Sequence, residues 1–200
     1  MPTSLKQELR NRFPMLQSER LLLRKVLPKD EQELHGLLNE PLIQRYIAFR
    51  PETAGSAERL RRYFEDCHFA MTSLHFVVSD RESGSVAGLC SFQRWNEEEG
   101  NANIGYMIAP RYWNRGMATE AASMLLEFGF GRLGLKRVYA CCAPDNEASG
   151  KVLHKCGFER LGRSNRASWK KGKEVRPAHY FMLAAESRQQ TSVRYALLHN

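Results

Sequence analysis

The sequence predicts an α/β fold in a single domain, with a mixed, mostly antiparallel central sheet and helices on both of its faces. Apolar patterns of the strand period alternate along the chain with patterns of the helix period. Three consecutive strand patterns are joined by short polar turns, which favours antiparallel pairing, and a later strand, helix and strand follow in the order of a parallel crossover. A chain of 200 residues is long enough for one ample core, which at this size buries roughly 70% of the unfolded surface.

The first part of the chain contains one predicted strand and two predicted helices. Residues 21–26 carry the apolar pattern of a strand. Asp30 is the expected N-cap of the helix that follows, because a carboxylate can accept hydrogen bonds from the free first amides of a helix. A second helix is predicted over residues 56–68. The apolar faces of the two helices are Leu34, Leu37 and Leu38 in the first and Leu60, Tyr63 and Phe64 in the second.

The middle of the chain contains three strand patterns, at residues 75–79, 86–92 and 101–108. The segments between them, residues 80–84 and 96–100, combine acidic residues with Asn, Ser and Gly, a composition typical of turns. Connections of hairpin length predict that these three strands pair antiparallel.

The second half of the chain predicts a crossover and then a terminal hairpin. Small and apolar residues spaced three and four apart indicate a helix over residues 117–131. The next strand pattern, at 136–143, is expected to lie parallel to the strand before that helix. The remaining predicted elements are a helix over residues 146–155, an antiparallel pair of strands at 157–161 and 177–183, the loop between them at 166–173, and a tail at 187–200.

Composition indicates an ordinary globular protein. No run approaches the ~18 apolar residues of a membrane span, and the amino-terminal residues lack the apolar core of a secretory signal, so we expect a cytoplasmic protein. The 5 cysteines lack the spacing of a zinc site, which favours reduced, packed thiols and no metal. The net charge of +8 suits a polyanionic ligand or docking on an RNA-rich particle. Its basic residues are scattered, and the short run Lys170, Lys171 and Lys173 is interpreted as a solvated loop rather than a nucleic-acid site.

The junction near residue 110 is the most informative part of the chain. An apolar strand breaks at Pro110, and a turn containing Gly116 then opens directly into the helix at 117–131. The first amides of a helix have no intrahelical partner, and the peptide dipoles place partial positive charge there, so this turn can bind a phosphate. Arg111 and Arg115 would add positive charge. Neither a Walker loop nor a dinucleotide-binding fingerprint is present.

Three motifs together resemble the GNAT superfamily of N-acetyltransferases. The turn Trp113 to Ala118 resembles its acyl-CoA loop, although Trp113 stands where a basic or amide residue is usual. Trp at this place is similar to the branch of ribosomal-protein N-terminal acetyltransferases of the Rim type. The block 145–158, with Asn146, Ser149 and a final Gly-Phe, resembles the segment beside the pantetheine arm, and residues 18–24 followed by Asp30 resemble the first strand and helix. The resemblance covers a domain at residues 18–186, after a lead-in at 1–17 and before the tail.

The resemblance implies that acetyl-CoA is the acetyl donor. In this family two parallel strands splay apart at their ends, and the acyl thioester lies in the gap. The pantetheine is then expected on strand amides near Met107 and Ile108, and the diphosphate on the turn of residues 114–118. The residues expected to contact acetyl-CoA are Met107, Ile108, Arg111, Trp113, Asn114, Arg115, Gly116, Met117, Ala118, Thr119, Asn146 and Ser149.

Acetyl transfer to an amine requires a neutral nucleophile, stabilisation of the oxyanion and a proton for the departing thiolate. Asn103 occupies a place that is often Glu in the family, which leaves Glu99 as the candidate base, against the alternative of a solvated turn of three glutamates. Leu153 stands where many members of the family have a Tyr that acts as the general acid, so Ser149 is the candidate acid. The alternative is that Asn146 and Ser149 only cap their helix.

These expectations combine into one preferred function with alternatives. We expect an N-acetyltransferase that moves the acetyl group of acetyl-CoA to a primary amine by direct transfer in a ternary complex, preferably to a protein N-terminal amine of ribosomal-protein type. A small-molecule amine, such as a polyamine, an amino acid analogue or an aminoglycoside, is the alternative acceptor. A CoA-binding module without catalysis and weak ribosome or RNA association through the basic loop are alternatives of other classes. The expected state is a monomer or a homodimer, with no membrane partner.

Overall fold

The computed structural model describes residues 4–47, 56–171, 174–187 and 196–198, the last range and residues 164–171 and 174–176 by backbone alone. Lys173, most of the predicted tail and the side chains of the predicted basic loop therefore lie outside the described part. In the described ranges, a single mixed sheet of nine strands forms the core of the domain, in the order β7-β8-β6-β5-β4-β3-β2-β1-β9. The strands are β1 Met15–Gln17, β2 Leu21–Arg24, β3 Ser73–Asp80, β4 Val86–Asn96, β5 Asn101–Ile108, β6 Arg137–Cys142, β7 Glu159–Lys171, β8 Glu174–Ala184 and β9 Ala196–Leu198.

Six helices accompany the sheet in the described part of the chain, and the two layers of helices occupy opposite faces. Side chains of α2 and α4 pack with Val77 and Leu89 of the sheet, whereas α5 packs with the alternate residues Phe76 and Phe92. The alternation follows from the period of a strand, whose successive side chains point to opposite faces. The helices are α1 Leu5–Asn11, α2 Glu31–Asn39, α3 Pro41–Gln44, α4 Ala57–Phe69, α5 Met117–Gly131 and α6 Glu147–Lys155.

The three central strands confirm the predicted antiparallel meander. β3 pairs with β4, and β4 pairs with β5. The turns between them contain Gly84 and Gly100 at φ 71° and 64°, a left-handed conformation that glycine adopts readily because it has no Cβ. β4 is longer than predicted and bulges between Gln93 and Asn96. Arg94 lies in that bulge at φ 53°.

The parallel pair β5 and β6 splays apart, as the family resemblance implied. The two strands pair only where Asn101 to Asn103 lie beside Arg137 to Tyr139. Beyond this point β5 stays paired with β4 as far as Ile108, and β6 stays paired with β8 as far as Cys142. A gap therefore opens inside the sheet from Ile104 onward.

The lead-in at residues 1–17 includes α1 and the strand β1, which pairs with β2. Two local expectations need correction. Asp30 stands at the N-cap position of α2, but its side chain makes no capping hydrogen bond to that helix. Its carboxylate instead accepts hydrogen bonds from Arg24 Nη1 and Nη2, at 2.6 and 2.8 Å, and from the Leu27 N–H. The loop predicted at 166–173 is strand as far as Lys171. Among the described residues, no helix is long and apolar enough to span a membrane, and no group of three metal-ligating side chains occurs.

Candidate active site

The amino terminus of α5 presents backbone amides without protein partners. Gly116 precedes the helix in the left-handed conformation at φ 76°, Asn114 is left-handed at φ 60°, and no side chain caps the helix. The first N–H that bonds within the helix is that of Glu120, to the Gly116 carbonyl at 3.0 Å. In the described part of the chain, the N–H groups of residues 114–119 donate to no protein acceptor. With the helix dipole behind them, these groups form a seat for an anion.

Arg20 fixes this turn from outside the helix. Its Nη1 donates to the Arg115 carbonyl at 3.0 Å, and its Nε donates to Glu120 Oε2 at 2.8 Å. Ser18 Oγ donates to the other oxygen of Glu120 at 2.7 Å. Sequence reasoning assigned no role to Arg20, although it lies in the segment 18–24 whose resemblance to the family was noted.

The two arginines of the turn lie over the same ring but differ in their acidic partners. Arg111 Nη2 donates to Glu33 Oε2 at 3.1 Å and to the Val86 carbonyl at 3.0 Å, so a carboxylate of α2 compensates its charge. The Arg111 guanidinium also lies 5.1 Å from the centroid of the Tyr112 ring. That Arg111 adds positive charge to the anion seat stays a prediction. Arg115 lies over the Tyr112 ring, 5.8 Å from its centroid, and has no acidic partner among the described residues.

The peptide groups of β5 that face the gap are those of even-numbered residues. The Ala109 N–H donates to Ala87 on β4 at 2.8 Å, and the antiparallel register places Met107 opposite Leu89. Because hydrogen-bonding direction alternates along a strand, Met107 is directed to β4 while Tyr106 and Ile108 are directed to the gap. The expectation of a free Met107 amide is corrected in favour of Tyr106, and that for Ile108 fits the geometry.

Trp113 closes the corner between β5 and the turn. Its indole Nε1 donates to the Ile108 carbonyl at 2.6 Å, and the residue is 40% exposed. The residue that departs from the usual acyl-CoA loop thus supports the end of β5 by hydrogen bonding. In the same turn, Met117 is buried, so the anion seat can use only its N–H, while Ala118 and Thr119 are half-buried.

The gap is bridged by a contact between β5 and α6. The Tyr106 hydroxyl lies 3.0 Å from both the carbonyl oxygen and Oγ of Ser149. Asn146 caps α6 through its Oδ1, which accepts from the Ser149 N–H at 3.1 Å. Asn146 therefore caps the helix, whereas the Ser149 hydroxyl contacts Tyr106 instead of capping it. Sequence reasoning missed Tyr106.

The surroundings of Ser149 are desolvated. Burial raises the pKa of the Tyr106 phenol, so the phenol stays protonated at neutral pH. Burial likewise raises the pKa of the neighbouring Cys142 thiol to about 11. Both groups therefore act on Ser149 as neutral hydroxyl and thiol.

Glu99 is not brought to this site. It lies in the turn before β5, where its Oε2 accepts from Asn101 Nδ2 at 2.6 Å. At about 3.3 Å per strand residue, Tyr106 lies roughly 17 Å farther along β5 than Asn101. The geometry supports the solvated-turn interpretation of Glu99. Leu153, which stands where many members of the family have a general-acid Tyr, is buried in the core.

The face of the sheet opposite α5 carries a row of polar residues beside the gap. We call it the polar face, and it consists of alternate residues of the strands on either side of the gap: Ser91, Gln93, Asn103, Tyr139 and Cys141. Gln93 Nε2 donates to Ser91 Oγ at 3.0 Å. On β4, β5 and β6, no acidic side chain occupies a position on this face.

A splayed parallel pair that ends beside an open helix terminus defines a transferase of acyl groups carried by coenzyme A. Comparison of the sequence with known protein families gives the same class, since residues 20–159 match the acetyltransferase (GNAT) domain. The chain belongs to this family, whose enzymes use acetyl-CoA as a substrate.

Relatives and solved structures support the same assignment. The uncharacterized N-acetyltransferase p20 of Bacillus licheniformis is 32% identical over 148 residues, which are 74% of this chain and 83% of p20. A GNAT acetyltransferase structure from Bacillus anthracis superimposes with a TM-score of 0.74 at 26% identity, covering 86% of this chain and 99% of that one.

Two further relatives have names that specify an acceptor. YdaF of Bacillus subtilis, provisionally named a ribosomal N-acetyltransferase, is 27% identical and covers 84% of this chain and 94% of its own. The spermidine N(1)-acetyltransferase of Escherichia coli is 28% identical and covers 64% of this chain and 75% of its own.

Proposed function

We propose that this protein transfers the acetyl group of acetyl-CoA directly to the α-amine of a polypeptide within a ternary complex. The observation that carries the proposal is that two binding features meet at the end of β5. The free amides at residues 114–119 can bind an anion, and the gap that begins at Ile104 is bordered by Tyr106, which contacts Ser149. Together they match a ligand with a diphosphate at one end and a thioester at the other.

Each part of acetyl-CoA has a counterpart in this arrangement. The diphosphate lies on the amides of Asn114, Arg115, Gly116, Met117, Ala118 and Thr119, with Arg115 as the nearby cation. The pantetheine amides bond to the outward peptide groups of Tyr106 and to the outward N–H of Ile108, as an added strand does at a sheet edge, while the Ile108 carbonyl accepts from Trp113. The thioester then lies beside Ser149, and Trp113 and Asn146 hold the flanking backbone.

The chemistry follows from this placement. The neutral amine attacks the thioester carbon from the polar face, the carbon–sulfur bond breaks, and sulfur leaves with the electron pair. The Ser149 hydroxyl donates a hydrogen bond to that sulfur as its charge develops. The proton lost by the amine ends on the thiolate or in solvent, so the overall reaction is balanced.

The polar residues of β4, β5 and β6 beside the gap bear on the acceptor. These three strands carry no acidic side chain on the polar face that could remove a proton from the amine, so an amine that enters neutral is favoured. An α-amine with a pKa near 7.7–8.0 is neutral in roughly one molecule in five at pH 7.2, whereas an alkyl amine near 10.4 is neutral in roughly one in a thousand. A polypeptide α-amine is therefore favoured over a polyamine.

The polyamine remains the competing acceptor, because identity to the spermidine enzyme, 28% over 142 residues, is close to that to YdaF, 27% over 179 residues, although over a shorter stretch. The test is release of free thiol from acetyl-CoA with a matched panel. It contains a peptide with a free α-amine and an internal Lys, the same peptide with a blocked terminus, spermidine and an aminoglycoside. We expect release with the free peptide and mass addition at its terminus, with at least tenfold less from the other acceptors.

Two outcomes would contradict the proposal. Equal rates with spermidine and the free peptide would assign the acceptor to the polyamine class. Calorimetric binding of CoA without thiol release for any acceptor would favour a binding module.

A further inference from the structure

Arg94 lies in the bulge of β4, next to the strands that border the gap. The pairing of β4 with β5 shifts there between Gln93 and Asn96. The backbone of Arg94 is left-handed at φ 53°, a conformation that a residue with a Cβ seldom adopts. A bulge inserts an extra residue into a strand and redirects its side chain, and bulges are common next to active sites. Arg94 therefore has a direction that a regular strand would not give it.

The Arg94 side chain brings its positive charge toward β6. Burial raises the pKa of the Cys141 thiol on that strand, and the charge of Arg94 opposes the rise. This effect requires the guanidinium to lie near the thiol, although β5 separates the two strands. Since Cys141 belongs to the polar face, the charge of Arg94 lies on the side of the sheet from which the amine attacks in the proposed reaction.

No carboxylate compensates the charge of Arg94 in the described part of the chain. The residue is exposed, and none of the ion pairs formed there includes it. In the turn after β4, Glu97 pairs with Lys6, and Glu99 accepts a hydrogen bond from Asn101. The polar face of β4, β5 and β6 carries no acidic side chain either. The guanidinium can therefore bind an anion that a ligand supplies.

The surface between Arg94 and the reaction centre leaves room for a peptide. Gly105 of β5 lies just beyond the start of the gap, and an added Cβ there would lie 3.1 Å from Gln93 Nε2. The bulge is level with Asn103, and Tyr106 lies roughly 10 Å farther along β5 at about 3.3 Å per residue. Two or three extended peptide residues span that distance. A side chain on the second or third residue of an acceptor can therefore reach the guanidinium.

We infer that Arg94 selects polypeptide acceptors that carry a carboxylate on their second or third residue. The inference rests on the proposed acetyl transfer and defines its substrate class more closely. A guanidinium donates charge-assisted hydrogen bonds to a carboxylate. It also repels other cations, so an acceptor with only positive charges near its amine is disfavoured. Arg94 is thus a residue that determines specificity and takes no part in the transfer itself.

The kinetic test compares three peptides of equal length with a free α-amine. They differ only at residues two and three, which are both Glu, both Gln or both Lys. We expect the wild type to acetylate the Glu peptide with a kcat/KM roughly fivefold above that of the Gln peptide, the effect of one exposed ion pair. The Lys peptide should be the slowest. Equal kcat/KM values for the Glu and Gln peptides would overturn the inference.

Variants at position 94 assign the preference to this side chain. Arg94→Asn removes the charge, and Asn tolerates the left-handed backbone, so we expect this variant to fold and to acetylate the Glu and Gln peptides equally. Arg94→Gly, which suits that backbone best, should give the same result. Arg94→Lys keeps the charge and should keep the preference for Glu. Arg62→Gln, which removes the same charge on α4, should match the wild type. A preference for Glu that persists in Arg94→Asn would overturn the inference.

A binding measurement separates the inference from the proposed function. CoA carries no acetyl group, so calorimetric titration of the CoA complex with the same peptides measures recognition without transfer. We expect a Kd roughly fivefold lower for the Glu peptide than for the Gln peptide, and equal values in Arg94→Asn. If no peptide accepts acetyl but this difference is found, the proposed function fails and the recognition by Arg94 stands. If both peptides are acetylated and bound alike, the recognition fails alone.

Discussion

Arg20 and Glu120, 100 positions apart, join the start of β2 to the first turn of α5 through a hydrogen bond of 2.8 Å from Arg20 Nε to Glu120 Oε2. The Glu120 carboxylate lies in the first turn of α5, where the helix dipole favours an anion. Without compensation, its negative charge would repel a diphosphate bound to the same turn. Arg20 compensates that charge and also holds the Arg115 carbonyl. The anion seat thus depends on a residue outside the turn.

Replacing Arg20 should therefore weaken CoA binding. We expect Arg20→Gln to raise the Kd for CoA roughly fivefold, about 1 kcal/mol, because the Glu120 charge is then uncompensated beside the diphosphate. Calorimetric titration measures the Kd. Arg62→Gln, which removes the same charge from an exposed pair with Glu58 on α4, is the control and should bind as the wild type does. Equal Kd values for the two variants would contradict a role for Arg20.

Gly116 permits a second test of the anion seat. At φ 76° any residue with a Cβ is strained, yet an added Cβ would lie no nearer than 3.7 Å to a neighbouring atom, Arg20 Nη2. Gly84 has φ 71° and open space, so it is a matched control outside the site. We expect Gly116→Ala and Gly84→Ala each to lower the free energy of unfolding by about 1 kcal/mol. Only Gly116→Ala should weaken CoA binding, by roughly tenfold, as measured by calorimetry. Loss of affinity in Gly84→Ala would show that the effect is one of stability.

Elements determined by local pattern were predictable from the sequence. β5 begins and ends at the predicted residues, and so does α5, because a continuous apolar face is bounded at each end by breakers. β1 and β9 are three residues each and are ordered by pairing with distant strands, which no local pattern reveals. The predicted gap between β5 and β6 came from the family resemblance rather than from the pattern.

The same distinction between local pattern and distant contacts applies to the candidate site. The open turn at 114–118 is contiguous in sequence and was predicted from Pro110, Gly116 and the helix that follows. The contact of Tyr106 with Ser149 spans 43 positions and was not predicted. The contact of Arg111 with Glu33, 78 positions away, was likewise not predicted. The charge of a side chain is known from the sequence. The direction in which that side chain points depends on partners that only the fold brings close.

The Asp30 side chain pairs with Arg24 instead of capping α2, and this pair allows a prediction about stability. The side chain of Asp30 is 3% exposed and that of Arg24 8%, so the pair is desolvated. We expect Asp30→Asn to lower the free energy of unfolding by about 3–5 kcal/mol, since it leaves the Arg24 charge buried without a counter-ion. Denaturant unfolding measures the loss.

The matched control for Asp30 is Glu58→Gln, which breaks an exposed pair with Arg62 on α4 and should cost less than about 1 kcal/mol. The double change Arg24→Met with Asp30→Leu should recover part of the loss, because it removes both buried charges. A loss for Asp30→Asn as small as for the control would indicate that water reaches the pair.

His75 makes the stability of the domain depend on pH. It lies on β3 against the Phe64 ring, with 4.9 Å between ring centroids, and its Nε2 is 2.8 Å from Ser73 Oγ. Burial lowers its pKa to about 4, from about 6.5 in an unfolded chain. Between these values only the unfolded state takes up the proton. The contribution to stability is therefore complete above pH ~6.5 and declines as pH falls toward 4, by up to about 3 kcal/mol.

The His75 contribution can be isolated by comparing unfolding at several pH values. Carboxylates titrate in the same range, so the informative quantity is the difference in slope between wild type and His75→Gln. We expect this variant to lose about 3 kcal/mol less than the wild type on going from pH 7 to pH 4. His154→Gln, an exposed histidine near the end of α6, should keep the wild-type slope. Identical slopes in all three proteins would mean that His75 protonates as readily in the folded domain as in the unfolded chain, and thus that its pocket admits water.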